Sequence, residues 1–237
     1  MKRWAMMTMA AVALMAPSSR ASLQVNLIVN GDAEAGPSSP APPPGFTVVG
    51  GARALDYANG GGFPTASTPG PTDRGLNFFY GGNSAVSSLS QTIGLTAADG
   101  LVIDAGLASY DLRGYLGGFA GQNDNARLTA DFRDSSDLSL GMATIGPVLN
   151  ADRGGVTALI LQETIGAVPI GTRSIDVTIL FTRTAGTSND GYADNLSLVL
   201  TGDVAPGVST PEPATLVSAA VASLAGLGRY LRRRRSA

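Results

Sequence analysis

Clusters of Gly, Asn, Asp and Pro cut the middle of this chain into ten short runs in which apolar residues alternate with small or polar ones. The runs occupy 23–29, 46–49, 76–80, 89–95, 101–112, 126–132, 138–145, 156–162, 174–182 and 194–200. A side-chain period of two belongs to a strand with one buried face, and the residues between the runs are those that close turns. No helix-period apolar face of ordinary length occurs here, and no repeat of fixed period that would build a solenoid. The expectation is therefore an all-β antiparallel β-sandwich. Two stretches, 36–46 and 58–75, are too rich in Pro and Gly for a central strand and read as long loops, the second a flexible insertion.

The two ends of the chain read as addresses. Lys2 and Arg3 precede the apolar stretch 4–16, and the polar PSSRA that follows spaces Ser19 and Ala21 as a signal peptidase prefers. Residues 1–21 are thus expected to be a signal peptide, cut after Ala21, and 22–202 the β-sandwich domain. Residues 203–213 form a Pro/Gly/Ser stalk ending in Pro211, Glu212 and Pro213. Residues 214–231 make a transmembrane helix of roughly 27 Å, close to a hydrocarbon core of about 30 Å. Arg232, Arg233, Arg234 and Arg235 then place 232–237 in the cytoplasm.

Pro-Glu-Pro, an Ala/Leu/Gly-rich span and a terminal arginine cluster, in that order, resemble the PEP-CTERM sorting signal of exported proteins of Gram-negative bacteria. The resemblance implies an exosortase as the partner that recognises and cleaves the tail, and a protein first anchored in the membrane and then placed at the cell surface or in the extracellular matrix.

Composition narrows the function. The chain has no histidine and no cysteine, which removes Ser-His-Asp and Cys-His catalysis, thiol redox chemistry and the usual zinc and copper sites. Between Ser22 and Pro211 stand 8 arginines, no lysine and 17 acidic residues, a formal charge of −9 against −2 for the whole chain. Such a surface repels phosphate backbones, so nucleic acid is not an expected partner. Carboxylate chemistry survives these exclusions, but a glycan hydrolase needs one carboxyl in an apolar pocket, and no residue pattern marks one. The chain is read as non-catalytic.

The segments NLIVNGDAEAG (26–36) and NDGYADNLSLVL (189–200) resemble the ends of galactose-binding-like jelly-roll domains. The resemblance implies a jelly roll whose first and last strands pair, and a structural calcium shared by Asn30, Gly31 and Glu34 with Asp194. Asp32 and Asp190 are further candidate carboxylates, since Ca²⁺ takes about six to eight oxygens from carboxylates and carbonyls. The same residues also suit a plain turn and side-chain bonds to nearby backbone.

In the middle, GYLGGFAGQNDNARLTADFRD (114–134) reads as a glycine-permitted loop with amides and a carboxylate at its tip. Asn123 and Asp124 beside an aromatic platform from Tyr115, Phe119 or Tyr110 would suit a sugar, and a polar hairpin tip would use the same residues. The function expected is a non-catalytic cell-surface or matrix protein, alternatively a carbohydrate-binding module for an exopolysaccharide or, as a third reading, a carboxylate-based glycan hydrolase.

Overall fold

A computed structural model describes residues 23–38 and 41–202; the segments read above as a signal peptide, a stalk with a sorting motif, a transmembrane helix and an arginine-rich tail lie outside the described residues. The domain is an all-β sandwich of two antiparallel five-stranded sheets. In chain order the strands are β1 (Thr47–Val49), β2 (Arg53–Asp56), β3 (Asn77–Tyr80), β4 (Val86–Gly94), β5 (Ser109–Gly118), β6 (Asn125–Arg133), β7 (Ser139–Ile145), β8 (Ala158–Ala167), β9 (Ser174–Thr182) and β10 (Gly191–Thr201). One sheet runs β1-β4-β9-β6-β7 and the other β2-β3-β10-β5-β8.

Alternation in the sequence becomes two faces. In β9 the odd-numbered Ile175, Val177, Ile179 and Phe181 are buried, and they meet Leu112, Leu116, Leu196 and Leu198 of the facing sheet in one core. Phe79 points into that core, while its neighbours Phe78 and Tyr80 point the other way. There they join Leu55, Tyr57, Leu159 and Tyr192 in a second buried cluster. The loop 58–75 contributes Phe63 to this cluster, its ring 5.0 Å from that of Tyr80.

Three local expectations are corrected. The run 101–112 is not one strand: α1 (Ala97–Asp104) takes its first part, and β5 starts at Ser109. The cause is a capping box, in which the Thr96 hydroxyl accepts the Asp99 N–H while the Asp99 carboxylate accepts the Thr96 N–H at 2.8 Å. Gly114, Gly117 and Gly118 lie within β5 rather than in a loop. A Cβ on Gly117 would stand 1.9 Å from the Ala158 carbonyl oxygen, so the absent side chain serves close strand approach.

The first run, 23–29, forms no strand of its own but does run against the last one. Asn26 bridges Val199, the Gln24 N–H donates to the Leu200 carbonyl and Leu27 N–H to that of Leu198, both at 2.8 Å. The Asn26 side chain continues the ladder where the backbone turns away: Nδ2 donates to the Leu196 carbonyl and Oδ1 accepts the Leu198 N–H, each at 3.0 Å. β2 was not among the ten runs, because Arg53–Asp56 sets two adjacent buried residues, Ala54 and Leu55, between two charged ones and so displays no alternation.

Candidate functional site

The pairing of β10 with β5 slips between Asp194 and Ser197. Asp194 faces Tyr115 and Ser197 faces Arg113, so Asn195 and Leu196 together oppose Gly114. This bulge, with Asn195 in a left-handed conformation at φ 48°, turns side chains out of the ladder. It opens onto a cleft of about 630 Å³. The bulge residues Asn195, Leu196 and Ser197 form its floor, and Arg113, Tyr115 and Leu161 one wall. Asn26, Ile28 and Asn30 to Asp32 form a second wall, and Thr72 with Asp73 the third.

The third wall is well fastened. The Arg74 guanidinium donates to the carbonyls of Pro71 (2.9 Å), Thr65 (2.8 Å) and Thr68 (2.8 Å), and lies 5.1 Å from the Tyr57 ring centre. Asn195 Nδ2 donates to Asp73 Oδ1 at 2.8 Å, tying the loop to the bulge. The segment read from sequence as a flexible insertion is therefore a fixed side of the cleft.

Beneath the cleft lies Asp194, with no exposed surface. It accepts the Tyr57 hydroxyl on Oδ2 and the Asn195 N–H on Oδ1, both at 2.7 Å. Burial pushes its carboxyl up to about 7, against the lowering by these two bonds and with a further rise from the charges of Glu34 and Asp32. Tyr57 is pushed well above the ordinary phenol range by burial and then by Asp194.

Of the residues considered for calcium, Asn30, Gly31, Asp32, Glu34 and Asp194 are brought to this end of the domain while Asp190 lies at another recess, and each of the side chains Asn30, Asp32, Glu34 and Asp194 already has at least one oxygen bonded to protein. Asn30 Oδ1 accepts the Ala35 N–H at 2.8 Å and Nδ2 donates to the Pro44 carbonyl. Asp32 Oδ1 accepts the Glu34 N–H at 3.3 Å. Glu34 Oε1 accepts the N–H groups of Leu76 and Asn77, at 2.8 and 2.7 Å, and so pins the start of β3. Among the described residues no three His, Cys, Asp or Glu side chains converge on a possible metal position. As they stand, Asn30, Asp32, Glu34 and Asp194 form a set of hydrogen-bonded clasps.

The residues considered for a ligand are separated. Tyr115 is half-buried on the cleft wall, beside Asn30 and Asp32. Asp124 is fully buried elsewhere and saturated: Oδ1 accepts the Thr184 N–H (2.6 Å), the Thr184 hydroxyl (2.9 Å) and the Ala185 N–H (3.0 Å), and Oδ2 the Asp190 N–H (3.0 Å). Asn123 caps the same region by accepting the Asn150 N–H at 3.1 Å. Tyr110 packs on Phe132, ring centres 5.0 Å apart, and Phe119 lines a different recess. Sequence reasoning did not select Thr72, Asp73, Arg113, Asn195 or Ser197 as cleft residues. Only Asn195 had a signal, in the Asp-Asn pair heading the last strand.

No protein-family model matches the chain, and no curated protein matches it. Among solved structures, the enzymatically active domain of bacteriophage CBA120 tailspike protein 4 is similar with a TM-score of 0.44 and 10% identity, covering 74% of this chain and 21% of that one. The Clostridium thermocellum xylanase Xyn10B structure holding family 22 carbohydrate-binding and family 10 catalytic modules scores 0.42 at 12% identity, covering 78% and 29%. The xylan-binding family 22 domain of Paenibacillus barcinonensis Xyn10C scores 0.40 at 12% identity, covering 70% and 91%. The chain thus spans under a third of the first two proteins' lengths, and these likenesses carry no functional information.

Proposed function

We propose that this chain is an exported, non-catalytic β-sandwich of jelly-roll type that holds a glycan at the cell surface or in the extracellular matrix. The observation that carries the reading is the cleft at the β10 bulge. An aromatic ring, Tyr115, stands there beside amides (Asn26, Asn30, Asn195), carboxylates (Asp32, Asp73) and hydroxyls (Thr72, Ser197). A sugar offers a C–H face for a ring to stack on and hydroxyls that both donate and accept, which this mixture answers. The cleft is open, with its floor and one wall on strands β10, β5 and β8 and the other walls on the segments 26–32 and 72–73, which suits an extended polymer.

Support for a binding rather than a hydrolytic role comes from Asp194. It has the raised carboxyl that an acid catalyst needs, but it is sealed from solvent and both its oxygens are engaged. Reducing-sugar release from any polysaccharide is accordingly expected to be absent.

The test is affinity electrophoresis over a panel of neutral and acidic polysaccharides. At least one should retard the protein, and Tyr115→Ala, shown to be folded by circular dichroism, should weaken that retardation about tenfold or more. A panel with no retardation removes the glycan reading and leaves a structural role.

Export and sorting belong to the same proposal and rest on the terminal segments. In the native host, intact-mass analysis of surface-extracted protein should give a chain that begins at or near Ser22 and lacks Arg232 to Arg235. A mass that still includes the arginines would leave a plain membrane anchor in place of exosortase processing.

A further inference from the structure

The loop 58–75 walls a second recess near its start. Gly61, Gly62 and Phe63 face Phe119, Ser188, Asp190 and Tyr192 across a volume of about 220 Å³. Phe63 and Phe119 are both half-buried, and the Tyr192 ring beneath them is fully buried. Gly62, at φ 94°, lays bare backbone against the Phe119 ring; a Cβ there would stand 3.3 Å from it. The absence of a side chain keeps the recess open between the rings.

Asp190 is the charged group of this recess, with Ser188 as its second polar residue. It accepts the Tyr192 hydroxyl at 3.1 Å, and among the described residues it has no ion pair. Burial holds its carboxyl above the ordinary carboxylate range, and the charge of the buried Asp124 adds to the rise. A carboxylate set among rings and short of a counter-charge costs the fold desolvation energy that neither sheet requires. Its field repels anions. Aromatic faces attract a cation through the ring quadrupole, and a carboxylate accepts its N–H groups in short charge-assisted bonds. A neutral sugar could stack on the rings but would leave the charge unanswered.

We propose that this recess is a second ligand site that takes a primary ammonium group, seated on Asp190, with its small carrier held between Phe63 and Phe119. The carrier is an amino-sugar residue of a glycan or a free alkylamine. The site shares no lining residue with the cleft and does not depend on the reading of the cleft.

Calorimetric titration of the protein with glucosamine, N-acetylglucosamine and butylamine tests it. Glucosamine should bind about tenfold or more tightly than N-acetylglucosamine, which has the same ring without the charge, and added salt should weaken it. Asp190→Asn keeps an acceptor for Tyr192, and Phe119→Ala removes one wall; each should cost glucosamine about tenfold. Ile165→Ala, on the exposed face of β8 and in neither site, should cost nothing. Butylamine binding as tightly as glucosamine supports the site and assigns it to free amines, and weaker butylamine binding assigns it to amino sugars. Equal affinity for the N-acetylated sugar, unaltered affinity in Asp190→Asn, or no binding by either amine overturns the proposal.

Discussion

Asp124→Ala is expected to cost the folded domain about 3 kcal/mol, because it removes a buried charged acceptor shared by four donors. The carboxylate gathers four donors from 184–190 onto the start of β6: the N–H groups of Thr184, Ala185 and Asp190 and the hydroxyl of Thr184. Alanine leaves those groups facing a cavity. Asp124→Asn keeps one acceptor oxygen and introduces an amide where donors converge, so it should lose a smaller share of the same stability. Urea unfolding measures both. The m-value should hold while the midpoint falls, because the same surface is exposed on unfolding. A loss below about 1 kcal/mol for the alanine variant would mean that the clasp does not bind the 184–190 loop to the sheet.

The clasp also shows where a sequence stops informing. Asn123 and Asp124 sat beside glycines and looked like a loop tip facing solvent; they do lie between strands, but Asp124 is fully buried, and Gly114, Gly117 and Gly118 belong to β5. Gly117 is there because the Ala158 carbonyl leaves no room for a side chain. A run of glycines in a strand and one in a loop have the same letters, and only the neighbouring strand separates them.

Strands of seven or more residues with clean alternation, such as 126–132 and 174–182, were legible, since period two has one physical meaning when a face is buried. α1 was not, because its eight residues are too few to display a helix period and its signal is the Thr96–Asp99 box alone. The antiparallel contact of first and last segments was legible through resemblance. Its form was not: a single bridge is completed by the Asn26 side chain.

The site was half legible for a related reason. Asn30, Asp32 and Tyr115 were selected for separate chemistries, calcium and sugar, and the fold puts them on one cleft. What joins them is the Asn195–Leu196 bulge, a property of pairing between β10 and β5 that neither strand shows alone.

Between pH 5 and pH 8 the domain is expected to lose stability as pH rises, and Asp194 is the reason. In an unfolded chain its carboxyl titrates near 3.8; in the fold, burial lifts it to about 7. Below 3.8 both states carry the proton, and the favourable contribution is complete. From there to about 7 only the folded state holds it, so each pH unit withdraws about 1.4 kcal/mol, a total on the order of 4 kcal/mol once Asp194 is ionised. This window is unusually clean, because exposed carboxylates are already ionised there and the chain has no histidine or cysteine to titrate. Asp190, also lifted by burial, adds to the trend in the same direction. Asp194→Asn keeps an acceptor for the Tyr57 hydroxyl and cannot ionise, so it should flatten most of the slope. Urea midpoints at pH 5, 6.5 and 8 in chelator decide this, and equal slopes for wild type and Asp194→Asn would remove Asp194 as the cause. Calcium supplies the opposing arm. A Ca²⁺ held by Asp194 with Glu34, Asp32 and Asn30 requires the ionised carboxylate, so it should restore at pH 8 what ionisation removes and do little at pH 5. A wild-type midpoint at pH 8 that is the same with Ca²⁺ and with chelator would leave the four residues as turn clasps and the Tyr57 hydroxyl as the lasting partner of Asp194.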